Sequence, residues 1–146
     1  MIFNVRRFLA SRVMADNLPT ARSATSPHER EHIHRIIGER GLCGLANDTK
    51  WDELISAIRE LEPPRPRYRF KCVDGVPSDW DAEWFYHLPF PFMSVEWFDI
   101  SYRTAATDHS AWLFTLLVRI GFDYHRGTDA VRIFGYSPKT FDSFTQ

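Results

Sequence analysis

The clearest spacing of chemically active side chains is the segment H-E-R-E-H from His28 to His32, which matches H-E-x-x-H. On a helix this spacing places two imidazoles on one face, where they can bind zinc while Glu29 acts as a general base. A third ligand would come from Asp52 or Glu53 on the next predicted helix. The motif therefore raises the hypothesis of a small zinc-dependent hydrolase.

Three features of the sequence argue against that hypothesis. Glu29 follows Ser26 by three residues, where it completes a helix capping box. The predicted helix is charged on most sides, whereas catalytic zinc requires a dry and shaped cavity. About a dozen residues, which we expect to be disordered, separate Met14 from the motif, so we expect no upstream sheet to form a substrate cleft. We therefore expect a solvated, salt-bridged helix face and a protein without a cofactor.

Nucleophilic catalysis finds no better support in the sequence. Cys43 lies in a predicted turn, and Cys72 alternates with Tyr68 and Phe70, a pattern typical of a core thiol. The sequence contains no G-x-S-x-G, P-loop or G-x-G-x-x-G motif. Two cysteines also exclude a disulfide scaffold and a four-cysteine zinc site.

The segment 80–102 is unusually rich in aromatic residues with acidic residues between them. Trp84 and Tyr86 would share one face of an extended segment, and Trp97 and Phe98 must face opposite ways. Three helices cannot easily cover both faces of a sheet, so we expect at least one exposed aromatic residue and a protein-binding surface here. The candidate binding residues are Trp80, Asp81, Glu83, Trp84, Tyr86, His87, Trp97, Asp99 and Tyr102. A pocket for a small ligand lined by Trp80, Trp84 and Trp97 is an alternative.

Composition limits the classes of partner. The 146 residues are 44% hydrophobic, 25% charged and 15% aromatic, which suits one soluble domain. Of the 18 basic and 19 acidic residues, three arginines precede Asp16, so the remaining chain carries a net charge of −4. Nucleic acid is therefore an unfavourable partner. The longest apolar run, 111–120, is too short to span a membrane.

The N-terminal segment allows three interpretations. Met1–Val13 is basic and acid-poor, which is compatible with a targeting segment or an amphipathic surface segment. The third interpretation is that translation starts at Met14. We expect residues 1–25 to be disordered or dispensable and residues 26–140 to form one domain.

The periodicities predict an α+β domain with an antiparallel sheet of about five strands and three helices in the order ααβββαββ. Ser26 and Asp108 are predicted to cap the first and third helices, and Asn47, Asp48 or Thr49 the second. Gly41 and Gly121 are predicted to end the first and third helices. The predicted extended segments are Arg67–Cys72, Trp80–Leu88, Ser94–Ile100, Phe122–His125 and Ala130–Tyr136.

Two segments, Asn47–Trp51 and Trp84–Pro89, resemble a bacterial domain-of-unknown-function family of small standalone proteins, as does the ending Ile133–Tyr136. The resemblance covers roughly residues 45–136. It implies a bacterial cytoplasmic protein and leaves its activity open, although small acidic α+β proteins of this sort are often immunity partners of secreted toxins.

These observations lead to one main functional hypothesis. We expect a non-enzymatic protein-binding domain, most concretely an immunity protein that neutralises a toxin by direct contact, as a monomer or homodimer. Trp51 should lie in the core on its helical stripe, whereas Trp84 is expected to be an interface residue.

Overall fold

The computed structural model describes residues 18–146, which contain three α-helices and six β-strands. The helices are α1 Pro27–Arg40, α2 Asp48–Arg59 and α3 Ser110–Ile120. The strands are β1 Cys43–Gly44, β2 Tyr68–Cys72, β3 Val95–Ser101, β4 Tyr124–Arg126, β5 Ala130–Phe134 and β6 Tyr136–Ser137. The predicted α+β class is confirmed, with six strands rather than about five.

The described chain begins with residues that pack on the domain. Ala21 is fully buried. Its N–H donates to Asp52 Oδ1 at 2.8 Å, and its carbonyl accepts from the Phe92 N–H at 2.8 Å. Residues 18–25 therefore contact the domain, although the sequence suggested disorder up to residue 25. The interpretations of residues 1–14 concern positions outside the described residues.

The helices begin and end close to the residues that the sequence indicated, but the N-cap of α3 is His109, one residue after the predicted Asp108, and it makes no side-chain capping bond. Ser26 Oγ accepts from the Glu29 N–H at 3.1 Å, and Asn47 caps α2 in the same way. Each cap satisfies a donor that the first helical turn leaves unpaired. Gly41 and Gly121 follow α1 and α3 with φ of 64° and 93°, a conformation that glycine adopts at no steric cost. Within residues 18–146, no helix combines the length and apolarity needed to cross a bilayer.

A four-stranded antiparallel sheet in the order β2-β3-β5-β4 forms the centre of the fold. β3 pairs with β2 in the register Phe70↔Phe98 and with β5 on its other side. β1 and β6 form a separate two-stranded sheet. The strand predicted at Trp80–Leu88 is wrong, because this segment is a loop that joins β2 through one isolated bridge between Tyr68 and Asp81.

One face of the sheet carries the apolar core. Phe98 of β3 packs against the rings of Trp51, Tyr68 and Trp84, with centroid distances of 5.9, 5.3 and 5.7 Å. Trp51 on α2 is 2% exposed, which confirms its predicted place in the core. The α3 residues Leu113, Leu116 and Leu117 belong to the same cluster. Helices α2 and α3 therefore cover this face.

The opposite face carries buried charge under residues 138–146, which we call the strap. Because side chains alternate along a strand, Trp97 and Asp99 point away from Phe98 and meet Arg132 of β5. Trp97, Asp99 and Arg132 are each 0% exposed. Arg132 Nη1 donates to the Thr140 carbonyl of the strap at 3.0 Å. The expectation of an uncovered face was wrong, because the strap covers the side of the sheet that the helices leave free.

Candidate functional site

The exposed part of the predicted binding segment is one loop, residues 79–87, which we call the acidic loop. It carries the exposed residues Trp80 and His87, and Tyr86, which is 67% exposed. The expectation of an exposed aromatic residue in this segment is thus confirmed. The loop begins at the outer edge of β2, where Tyr68 and Asp81 exchange backbone hydrogen bonds of 2.8 and 2.9 Å. The sheet edge therefore fixes where the loop leaves the domain.

The carboxylate of Glu83 organises the second half of the acidic loop. Its Oε1 accepts from the backbone N–H groups of Phe85 and, at 2.9 Å, Tyr86, and its Oε2 accepts from the His87 N–H at 3.1 Å. Successive N–H groups that converge in this way form an anion-binding nest, which here holds the chain's own carboxylate. The Tyr68 hydroxyl donates to the Glu83 carbonyl at 2.6 Å. The backbone beneath the exposed Tyr86 and His87 is therefore held at several points.

Asp81 organises the first half of the loop. Its Oδ1 accepts from the N–H groups of Ala82 and Glu83 at 2.7 and 2.9 Å, and its Oδ2 lies 2.9 Å from His87 Nδ1. Desolvation raises the pKa of Asp81, but these hydrogen bonds outweigh it and keep the pKa below its ordinary value. Local bonds from carboxylates to the backbone compete with a strand ladder, which explains why this segment is not the predicted strand.

The Trp80 indole lies against two arginines that are not among the predicted binding residues. The guanidinium carbons of Arg69 and Arg67 lie 4.9 and 5.7 Å from a ring centroid of Trp80, within the range of cation–π attraction. Arg67 and Arg69 flank Tyr68, and this period-two spacing already places both on one face. That spacing was the signal that could have identified them.

Four of the predicted binding residues lie in the interior. Trp84, Trp97 and Asp99 are 0% exposed, and Tyr102 is 9% exposed. Trp84 Nε1 donates to the Pro66 carbonyl at 2.8 Å on the helix side of the sheet. The prediction that these four form a binding surface, including Trp84 as an interface residue, was therefore wrong, because both faces of the sheet are covered.

The three tryptophans proposed to line a small-ligand pocket are not brought together. Trp84 packs against Phe98 on the helix side, whereas Trp97 lies on the opposite face with the guanidinium of Arg132 3.5 Å from a ring centroid. Trp80 lies at the outer edge of β2. The sheet itself separates Trp84 from Trp97, so this set does not define one pocket.

The H-E-x-x-H histidines lie on the solvated surface of α1. His28 and His32 are exposed, and His32 Nε2 is 3.5 Å from Asp74 Oδ2. Among residues 18–146, no three His, Cys, Asp or Glu side chains are grouped so that they could hold a metal ion. The structure therefore does not bring together the residues of the alternative zinc site, His28, His32 and Glu53, and both histidines lie on a solvated helix face, as expected.

The acidic loop is suited to recognition. His87 Nδ1 faces Asp81, and its Nε2 lies 3.7 Å from Glu83 Oε2, so carboxylates orient both ring nitrogens. The loop also carries the exposed Asp79, and three carboxylates give it negative charge. The Tyr86 side chain projects from this charged and well-fixed backbone. Tyrosine is enriched among the residues that dominate protein-binding energy, and surface charges steer encounter with a surface of opposite sign.

The comparisons with known proteins identify a family without naming an activity. One family model matches residues 33–140, and its description is family of unknown function (DUF6678). No curated protein and no solved structure matches the chain. The matched residues include the acidic loop, the four-stranded sheet, α2 and α3.

Proposed function

Since the chain belongs to DUF6678, a family of unknown function, we propose its function from the acidic loop: a non-enzymatic domain that binds another protein through this loop. In its most specific form, we propose a bacterial immunity protein that neutralises a cognate toxin in the cytoplasm by direct contact.

The observation that carries the proposal is the exposure of Tyr86 on a fixed backbone. Its side chain is 67% exposed, while its own N–H and the N–H of His87 are bound to the Glu83 carboxylate. Tyrosine is enriched among the residues that dominate binding energy. A fixed backbone also lowers the entropy that association must overcome, so the loop is suited to act as a preformed contact.

The charge of the loop defines the kind of partner. Asp79 is exposed, and the oxygens of Asp81 and Glu83 are largely engaged inside the loop, where their charges still contribute to the local field. Carboxylates favour encounter with a positively charged surface and repel acidic ones, and the guanidinium groups of Arg67 and Arg69 beside Trp80 offset part of this charge. We therefore propose a partner with a basic patch and a recess for the Tyr86 ring.

The proposed immunity role is compatible with what inhibition by contact requires. Blocking a toxin needs an interface of about 1,600 Å² with a few aromatic contacts, and no chemical step. The chain's mildly acidic character outside its first residues suits a basic toxin surface. On this proposal, cells that express the toxin grow only when the complex between the toxin and this chain forms.

The experiment begins with the protein encoded beside this chain, expressed with and without it. Growth arrest by that protein alone, relieved by co-expression, is the expected result. Calorimetry should then show that Tyr86→Ala weakens binding by at least 2 kcal/mol, about 30-fold. Val118→Ala is the matched control, since Val118 is 65% exposed on α3, away from the loop.

Two results would contradict the proposal. Persistent growth arrest with no binding at micromolar concentration would remove the immunity role. Equal binding by the Tyr86 and Val118 variants would show that a partner contacts another surface, and that the acidic loop is not the binding site.

A further inference from the structure

The strap, residues 138–146, contacts the outer face of the sheet as a bound peptide would. Arg132 Nη1 donates to the Thr140 carbonyl at 3.0 Å, and Arg69 Nη2 donates to the Ser143 carbonyl. Thr128, next to the β4–β5 turn, donates from its N–H to the Thr145 carbonyl at 3.1 Å. Two side chains of the sheet and one backbone N–H of the β4–β5 turn thus donate to main-chain oxygens, which every peptide possesses.

The guanidinium groups of this face need main-chain oxygens as hydrogen-bond acceptors. Asp99 accepts from Arg69 Nε at 2.9 Å, and from Arg132 Nε and Nη2 at 2.8 and 2.9 Å. One carboxylate therefore serves two guanidinium groups, and Arg132 is 0% exposed. A buried cation is tolerated only when its remaining donors are paired. The strap supplies those acceptors through the Thr140 and Ser143 carbonyls, and another peptide segment with the same turn could supply them too.

Two phenylalanines three residues apart complete the fit. Phe141 packs against Phe134 with a centroid distance of 5.4 Å, and the Arg132 guanidinium lies 4.8 Å from the Phe144 ring centroid. Both rings also contact His125, with centroids 5.1 and 6.0 Å away. The face therefore selects an aromatic-x-x-aromatic spacing.

Aromatic rings and guanidinium groups alternate across the face as far as the acidic loop. Trp97 lies between Arg132 and Arg69, whose guanidinium carbons are 3.5 and 5.7 Å from its ring centroids, and Arg69 also lies 4.9 Å from Trp80. Removing the strap would expose the Arg132 end of this row. The other members of the row lie on β2, β3, β5 and the acidic loop. Phe144, which lies against Arg132, is the one strap residue in it.

Two observations separate the strap from the face beneath it. Five of its last six residues are exposed, with Phe144 as the half-buried one. The family model ends at residue 140, so it includes Arg69, Trp97 and Arg132 but neither phenylalanine of the strap. The face thus belongs to the family domain, whereas the present occupant lies largely outside the matched region.

We propose that the outer face of the sheet is a peptide-binding site for a partner segment that forms a turn, as the strap does where the Phe144 N–H donates to the Phe141 carbonyl, and that carries two aromatic residues three positions apart. The strap is its internal competitor, and binding requires its displacement. This site is independent of the binding proposed for Tyr86.

Calorimetry with a synthetic peptide of residues 138–146 tests the proposal on the full chain. Phe144→Ala weakens the internal competitor, so the peptide should bind this variant at least tenfold more tightly than the unaltered chain. A peptide with both phenylalanines replaced by alanine should not bind. Val118→Ala, remote from the face, should behave as the unaltered chain does.

Failure of the peptide to bind the folded Phe144→Ala chain would overturn the proposal, as would equal binding of the alanine peptide. A concentration-dependent dimer in light scattering that the peptide dissociates would identify a second copy's strap as the occupant, and would overturn the assignment to a partner segment.

Hydrogen exchange of the unaltered chain keeps the proposal testable if Phe144→Ala fails to fold. The amides of Thr128 and Phe144, which are bonded to strap carbonyls, should exchange at least 100-fold faster than the Asp99 amide of β3. Equal protection would show that the strap opens only when the domain unfolds, and would overturn the proposal.

Discussion

Truncation of Trp84 to alanine is expected to remove a large share of the free energy of unfolding. The side chain is 0% exposed, with ring centroids 4.7 Å from Tyr68 and 5.7 Å from Phe98. Emptying a buried tryptophan site typically costs about 3–5 kcal/mol. Loss of the Nε1 donor also leaves the Pro66 carbonyl unpaired, which adds about 1–3 kcal/mol. We expect a loss of about 4–8 kcal/mol, against the 5–15 kcal/mol that is typical of a domain.

A milder replacement keeps the experiment informative if the alanine variant does not fold. Trp84→Phe retains a ring in the core but removes the 2.8 Å hydrogen bond to Pro66, so we expect a loss of about 1–3 kcal/mol. Tyr86→Ala is the matched control two residues away. Because that side chain is 67% exposed, its removal should change stability by less than about 0.5 kcal/mol. Urea denaturation followed by circular dichroism measures all three variants.

One result would refute this reasoning about the acidic loop. If Trp84→Ala and Tyr86→Ala change the free energy of unfolding by the same small amount, Trp84 does not lie in the core. The division of the segment into buried and exposed aromatic residues would then be incorrect.

Two further predictions concern backbone space and thiol access. Gly135→Ala should destabilise the domain by about 1–3 kcal/mol or more, because the added Cβ would lie 2.0 Å from the Val95 carbonyl oxygen. Gly38→Ala on α1 would meet nothing within 4 Å and should stabilise the domain by about 0.5–1 kcal/mol. Urea denaturation measures both, and a change of the same sign in the two variants would contradict this contrast. The exposed Cys43 should react with a thiol reagent well before Cys72, whose pKa is raised by burial, and simultaneous reaction in the folded chain would contradict the difference in access.

Local signals in the sequence were sufficient for the helices and the last hairpin. Ser26, Asn47 and the two C-terminal glycines act within one helical turn, so their effect needs no knowledge of the rest of the fold. The hairpin of β4 and β5 likewise depends on a short turn around Gly127. The exposed residues Trp80, Tyr86 and His87 were also selected, because the density of aromatic residues exceeds what one face can bury.

The remaining site residues could not be assigned from local signals. Alternation correctly places Trp97 and Phe98 on opposite faces, but it does not reveal what covers each face. The cover over Trp97 comes from residues 138–146, about 40 positions further along the chain, and consists of an irregular segment without a period of its own. An interior position that depends on such a distant contact is indistinguishable, in sequence, from an exposed one.

The acidic residues show a second limit of sequence reasoning, with a direct consequence for function. Asp81 and Glu83 have the residue types and spacing of charges that meet a partner, yet their oxygens accept backbone N–H groups of their own loop. In the proposed interaction, their role would be to hold Tyr86 and His87 in position, while the exposed Asp79 would be available for a direct ion pair. The proposal therefore rests on aromatic exposure and carboxylate bonding together, rather than on acidity alone.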